Sequence, residues 1–149
     1  MPESLSAQLE ESVSAFVRGF GLLDCERTPC GLDLHLSEAH LVGDLHRVGP
    51  LSQRDLSQRL HLAKSTVSRL VSQLVARGWV ERRASPSDGR TVLVALTPNG
   101  DEVAKRLTRA RGRRFDSLLA AIPSERRHEA MRALAELARA ASSSSECAA

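Results

Sequence analysis

Tyrosine is missing from the chain altogether, and its only aromatic side chains are three phenylalanines and one tryptophan in 149 residues. A platform that stacks the bases of single-stranded nucleic acid needs several exposed rings, so that mode of binding is excluded as the main activity. Cysteine is scarce as well. Cys25, Cys30 and Cys147 form an odd set without a Cys-x-x-Cys pair, which reads as three thiols in a reducing compartment rather than a disulfide framework. No apolar run approaches the roughly 20 residues a membrane span requires, and the opening MPESLSAQLEE is acidic rather than basic and then apolar. The expectation is a cytoplasmic protein with neither signal peptide nor membrane anchor. Nucleophile-elbow, phosphate-loop, His-Glu-x-x-His and paired-carboxylate patterns are also lacking, so no enzyme reading and no cofactor follow.

What is present begins with an uneven distribution of charge. Residues 1–49 carry 3 basic and 8 acidic side chains, residues 50–97 carry 8 and 3, and residues 98–149 carry 10 and 7. A basic middle points to a polyanion, because Lys and Arg gain by displacing counterions from phosphate; a merely solvated surface is the competing explanation.

Apolar periodicity divides the chain into helices around a short β segment. Leu5, Leu9, Val13, Phe16, Val17 and Phe20 make one helical stripe, which Thr28-Pro29 and Gly31 interrupt. Ser37 is placed to cap a second helix through Leu41, Val42 and Leu45, and Ser52 a third, with Asp55 as its capping-box partner. After a turn at His61-Leu62, Val67, Leu70, Val71, Leu74 and Val75 form the docking stripe of a fourth helix that Gly78 ends. The period then changes to two. Val80 leads into a strand, Pro86-Ser87-Asp88-Gly89 turns, and Val92, Val94 and Leu96 alternate, which predicts a hairpin. Thr97-Pro98 starts a long helix to about Ile122, and Ser124 is placed to cap a last one carrying Met131, Leu134 and Leu137. The Ser-rich residues 142–149 lack apolar anchors and read as a frayed tail.

Two short helices, the second polar-faced and followed by a basic hairpin, describe a winged helix-turn-helix. The fold class expected is mainly α with a small β-hairpin wing. A helix fits the major groove, and short hydroxyl and amide side chains let its backbone approach base edges. Lys64, Ser65, Thr66, Ser68, Arg69 and Gln73 are the candidate DNA contacts of the fourth helix. Thr66, Arg69 and Gln73 form one strip, with Arg69 suited to a two-bond contact to guanine, while Ser65 and Ser68 suit phosphate. The apolar terminal helices lie at opposite ends of the chain, and a two-fold partner would bury both.

Leu51 to Gly100, LSQRDLSQRLHLAKSTVSRLVSQLVARGWVERRASPSDGRTVLVALTPNG, resembles the DNA-binding segment of the MarR family, most specifically in the Asp-Gly-Arg turn followed by VLVALTPNG. The flanking helices match in order and length. The resemblance implies one domain over residues 1–149, with dimerisation helices at 1–36 and 98–141 and the winged helix-turn-helix at 37–97. It implies a homodimer on a pseudo-palindromic duplex operator, and a repressor released by a small-molecule effector. Arg90 would enter the minor groove from the wing tip, and Asp88 would hold the turn or orient that Arg. One departure stands out: where the family has Ser or Thr and then Pro at the start of the recognition helix, this chain has Ala63 and Lys64, forgoing about 1 kcal/mol of capping.

The resemblance also frames three kinds of sensing. An effector cleft would be lined by Phe16, Phe20, His40, Asp44 and Phe115, with Phe16 and Phe20 as core residues the competing reading. The hydroperoxide-sensing branch places a reactive Cys early in the first helix beside Tyr hydroxyls; here the region around Ser12 has neither, leaving Cys25 and Cys30 as an alternative thiol pair. Zinc-responsive relatives take ligands from the second helix and from His residues after the wing. Cys30, Glu38, His40 and His46 are the side chains to consider, but six basic residues within 101–114 repel a dication, and no metal is expected. A winged-helix module that binds protein is the rival from another functional class.

Overall fold

The computed structural model describes residues 4–24 and 27–146. The chain divides into two compact units, Met1–Arg111 and Gly112–Ala149. In the first, α1 (Leu5–Phe20) is capped by Ser4, whose Oγ accepts from the Ala7 N–H at 3.2 Å, and ends at Gly21 in the left-handed region. No residue of α1 is buried.

Helix α2 (Leu36–Val48) carries Ala39, Leu41, Val42 and Leu45 into the core. Its cap is His35, not Ser37. Glu38 explains the earlier start, because its carboxylate accepts from the His35 N–H at 3.0 Å and so pins the turn one residue before Leu36. Ser52 caps α3 (Gln53–Leu60) as the sequence indicates, accepting from the Asp55 N–H at 3.1 Å. Helix α4 (Lys64–Ala76) buries Val67, Leu70, Val71 and Leu74, and the chain turns at Gly78 with φ of 73°.

The hairpin is β2 (Val80–Ala84) and β3 (Val92–Leu96), antiparallel with Val80 opposite Leu96 and Ala84 opposite Val92. The structure adds what alternation in the hairpin does not reveal: a two-residue strand β1 (Leu51–Ser52) on the free edge of β3, giving the order β1-β3-β2. Leu41, Leu56, Val67, Val71, Leu74 and Val94 meet in one core, so the sheet packs on α2, α3 and α4.

Helix α5 (Pro98–Ala120) starts at a tight junction. Thr97 donates its hydroxyl to the Gly78 carbonyl at 2.6 Å and accepts from the Gly100 N–H at 3.1 Å, while its own N–H donates to the Trp79 carbonyl at 3.0 Å. A Cβ at Gly100 would lie 1.8 Å from that Trp79 oxygen.

In the second unit, Ser124 does not cap the last helix. Its hydroxyl donates to the Glu125 carboxylate, residues Ser124–Arg126 form a 3-10 turn after Pro123, and α6 runs over Arg127–Glu146. That helix also passes through Ser142, where composition alone indicates fraying. Ser142, Ser143 and Ser144 each donate a hydroxyl to the carbonyl four residues back, at 2.8–3.0 Å, so they satisfy their hydroxyls within the helix. Residues 147–149 lie outside the described residues.

Candidate nucleic-acid interface

The turn between α3 and α4 is locked by local bonds. His61 takes the left-handed conformation with φ of 51°, the Leu62 N–H donates to the Ser57 carbonyl, and the Ser57 hydroxyl donates to the Leu62 carbonyl at 2.6 Å. Helix α4 therefore leaves α3 in a set direction. Its core stripe turns the opposite face outward, where Lys64, Ser65, Ser68, Arg69 and Gln73 are exposed and Thr66 is half-buried. Ala63 sits at the cap and makes no side-chain bond there. The first-turn amides of α4 lack the side-chain acceptor that a Ser or Thr would supply.

The wing is shaped by Asp88. One carboxylate oxygen accepts from the Arg90 N–H at 3.0 Å and the other from the Thr91 hydroxyl at 3.0 Å, while Ser85 N–H donates to the Thr91 carbonyl at 2.8 Å. Of the two roles open to Asp88, holding the turn is the one its bonds perform. Arg90 is exposed, and neither it nor Arg69 forms an ion pair among the described residues.

A side chain that the sequence reading passes over lies between helix and wing. Arg82, in the middle of β2, donates from Nη2 to the Ser72 Oγ of α4 at 3.0 Å. Its basic character within β2 is a visible signal, but the contact joins residues ten apart and no local pattern shows it. Behind the interface, the buried Glu38 takes a second hydrogen bond from Arg77 Nη1 at 3.4 Å, and the Arg77 guanidinium lies 4.8 Å from the centre of the Trp79 ring. Arg77 thus ties the start of α2 to the end of α4 and the root of the wing.

A cavity of about 920 Å³ opens beside the helix-turn-helix, lined among others by His35, His40, Asp44, Arg47, Arg59 and His61. Asp44 is engaged by Arg47 and, at 3.2 Å, by Arg59 across from α3. Burial, with the nearby Arg111 guanidinium, holds the His40 imidazole below its ordinary pKa. Of the expected effector cleft, His40 and Asp44 line this space. Phe16 and Phe20 do not; they stack on each other with centroids 5.3 Å apart. Phe115 belongs to the second unit.

The other candidate sensing residues are engaged separately. Cys30 lies 3.0 Å from the Thr28 hydroxyl, and Cys25 is outside the described residues. Glu38 holds His35 and Arg77, and His46 meets Asp101 at 3.1 Å. Among the described residues no three His, Cys, Asp or Glu side chains are grouped to hold a metal ion, and no helix is long and apolar enough to cross a membrane.

Comparison with known proteins follows the same segment. The sequence model of the MarR family matches residues 32–91. Two proteins of Bacillus subtilis (strain 168) are similar. The uncharacterized HTH-type transcriptional regulator YdgJ is 31% identical over 68% of this chain and 62% of its own length; YxaD, described in the same words, is 30% identical over 74% and 77%. The chain thus spans under two thirds of the first of these relatives and about three quarters of the second. Among solved structures, FabT of Streptococcus pneumoniae in complex with DNA superposes with a TM-score of 0.74 at 19% identity, covering 91% of this chain and 96% of that one. BpsR of Bordetella bronchiseptica, whose DNA binding is described as regulated by 6-hydroxynicotinic acid, gives 0.69 at 20% identity, covering 91% and 94%. At these identities the structures establish the shared fold.

Proposed function

The chain belongs to the MarR family of helix-turn-helix transcriptional regulators, and from that premise we propose that it binds a pseudo-palindromic duplex operator as a homodimer and represses until a small molecule releases it. The observation that carries the DNA reading is the presence of two exposed cations that have no carboxylate partner among the described residues, Arg69 on the recognition helix and Arg90 on the wing tip, within one compact unit. Such a helix addresses base edges in the major groove, and a hairpin tip reaches the adjoining minor groove, where narrow A·T tracts attract a guanidinium. Lys64, Ser65, Thr66, Ser68 and Gln73 complete the helix contacts, and Asp88 acts by shaping the wing.

The dimer rests on unpartnered apolar stripes, one in each unit. Leu5 is 83% exposed, and Leu9, Val13 and Phe16 follow it at helical spacing on α1; Met131, Leu134 and Leu137 are exposed on α6. A second copy of the chain would cover such stripes with the same surface on both partners, as a two-fold contact requires. Light scattering at micromolar concentration should give about twice the 16.2 kDa chain mass, and a single chain mass would refute the dimer.

The effector reading rests on the cavity beside the helix-turn-helix. Arg47 and Arg59 both engage Asp44 among three histidines, with Asp24 the other carboxylate of the lining, a setting that an additional small anion, like the acid described for BpsR, would enter through the guanidinium and imidazole donors. An anion there would favour protonated His40, so binding should tighten as the pH falls.

The test of the whole is a gel-shift titration on duplex DNA at several salt concentrations. Phosphate neutralisation gives a steep linear fall of log affinity with log salt. Arg90→Ala should melt like the parent yet bind about ten-fold more weakly, with the larger loss on operators flanked by A·T tracts. A chain with no salt-dependent duplex binding would move the protein-binding reading of the winged helix to the front.

A further inference from the structure

We propose that Arg82 clamps the phosphates of the DNA strand that passes between recognition helix and wing, and that Ser72 is its positioning residue. The inference rests on the DNA-binding reading above. A helix in the major groove and a hairpin tip in the neighbouring minor groove straddle one sugar-phosphate strand, because a backbone separates every pair of adjacent grooves. Whatever joins helix to wing along their near edge therefore faces that strand.

Arg82 occupies that edge. It lies opposite Val94 in the sheet register, two residues beyond Val80, which is buried; from there the strand leaves the core, and Arg82 is exposed. Its guanidinium bridges to α4 through Ser72, one turn after Ser68 on the edge that also carries Ser65. A guanidinium has five N–H donors, and the bond to Ser72 uses one. The hydroxyl it meets is neutral, so the full positive charge remains for a ligand. Arg59 and Arg77, which also reach across to another helix, both end on a carboxylate. Arg82 has no ion pair among the described residues. A planar, multiply donating cation, held by a neutral anchor and facing a phosphate chain, suits phosphate recognition. Ser72 keeps its own hydroxyl proton to donate in the same direction.

The experiment compares the parent with Arg82→Ala, Arg82→Lys and Ser72→Ala on one operator duplex and on variants with single base-pair changes, across a salt series, with melting curves for each. Arg82→Ala should weaken binding by a similar factor on every duplex, reduce the salt slope by about one per subunit, and melt like the parent. Arg82→Lys should keep the slope while losing part of the affinity. Ser72→Ala should keep the slope and lose several-fold, because the charge stays but its placement is freed. A lowered melting point with unchanged affinity and slope would make the Arg82–Ser72 bond a strut and overturn the proposal. Loss confined to one base pair would overturn it too, by making Arg82 a base reader. If the parent shows no salt-dependent duplex binding, the DNA reading itself fails and takes this inference with it.

Discussion

Replacing Gly100 with alanine probes the junction on which the wing and α5 depend. The added Cβ would stand 1.8 Å from the Trp79 carbonyl oxygen and 2.8 Å from its carbon, and both are backbone atoms that cannot rotate away. Relief requires about 1.2 Å of separation between the start of α5 and the segment leaving α4. That carbonyl accepts the Thr97 N–H, and the preceding Gly78 carbonyl accepts the Thr97 hydroxyl, so the movement strains two bonds at once. Overpacking costs about 1–3 kcal/mol and a weakened buried backbone bond about 1–3 more. The better helix propensity of alanine returns about 1 kcal/mol. The net expectation is a loss of about 1–5 kcal/mol, against the 5–15 kcal/mol typical of a domain. Gly112, also within α5, is the control: a Cβ there meets nothing within 4 Å, so Gly112→Ala should be neutral or stabilising. Urea unfolding at one fixed protein concentration reads both variants through the midpoint and m-value. A Gly100→Ala chain as stable as the parent, or a reversed order of the two variants, would refute the reasoning.

Further outcomes follow from other residues. Arg69→Ala should cost about 1–3 kcal/mol of DNA affinity and relax preference at one base pair per half-site; a uniform loss with a shallower salt slope would reassign Arg69 to phosphate. Ala63→Ser should raise stability by about 1 kcal/mol in urea unfolding, since the recognition helix has no side-chain cap, and an unchanged midpoint would show those amides to be satisfied already. Arg77→Met keeps a stem over Trp79 but leaves the Glu38 carboxylate, 2% exposed, without its cation; a loss of about 1.5–3 kcal/mol is expected, against little change for Arg83→Met on the exposed wing. His40 is held below its ordinary pKa when folded, so the unfolded chain binds more protons near pH 6. Stability should decline as the pH falls through about 6.5, and His40→Gln should flatten that decline.

Which features could be read in advance depends on how far apart the participating residues lie. Ser52 with Asp55 and Thr97 with Gly100 act within a few residues, and the helix starts that they mark are where the sequence puts them; the hairpin is also where expected, but its hydrogen-bonded turn runs from Asp88 to Thr91 rather than from Pro86 to Gly89. The misplaced start of α2 is instructive. Ser37 is the better capping residue by type, but Glu38 reaches back to the His35 N–H and also meets Arg77, 39 residues away, so a contact invisible in the local pattern accompanies the shift. The strand β1 is of the same kind, since Leu51 pairs with Val94, far along the chain on β3. The cavity shows the limit most clearly. His40 and Asp44 sit one turn apart on α2 and were legible as a pair, but Arg59 and His61 arrive from the far side of a turn. Phe16 and Phe20, one turn apart on α1, find each other instead.

Net charge along the sequence locates the basic segment but not its working face, and the ion pairs supply the difference. Of the eight basic residues in 50–97, Arg59 and Arg77 end on carboxylates of α2, in contacts that hold the lobe together. Arg54, Lys64, Arg69, Arg82, Arg83 and Arg90 have no such partner among the described residues. The three acids of that segment pair with none of them among the described residues: Asp55 bonds the Ser52 cap, Asp88 is taken up by the wing turn, and Glu81 on β2 forms no ion pair. Charge on the recognition helix and wing is thereby left uncompensated. An uncompensated cluster costs self-repulsion in the free protein, which a polyanion relieves on binding. The same reasoning separates the two kinds of arginine by experiment. Removing Arg77 should act on folding and removing Arg82 on the salt dependence of binding, although both lie within six residues of Ala76, where the recognition helix ends.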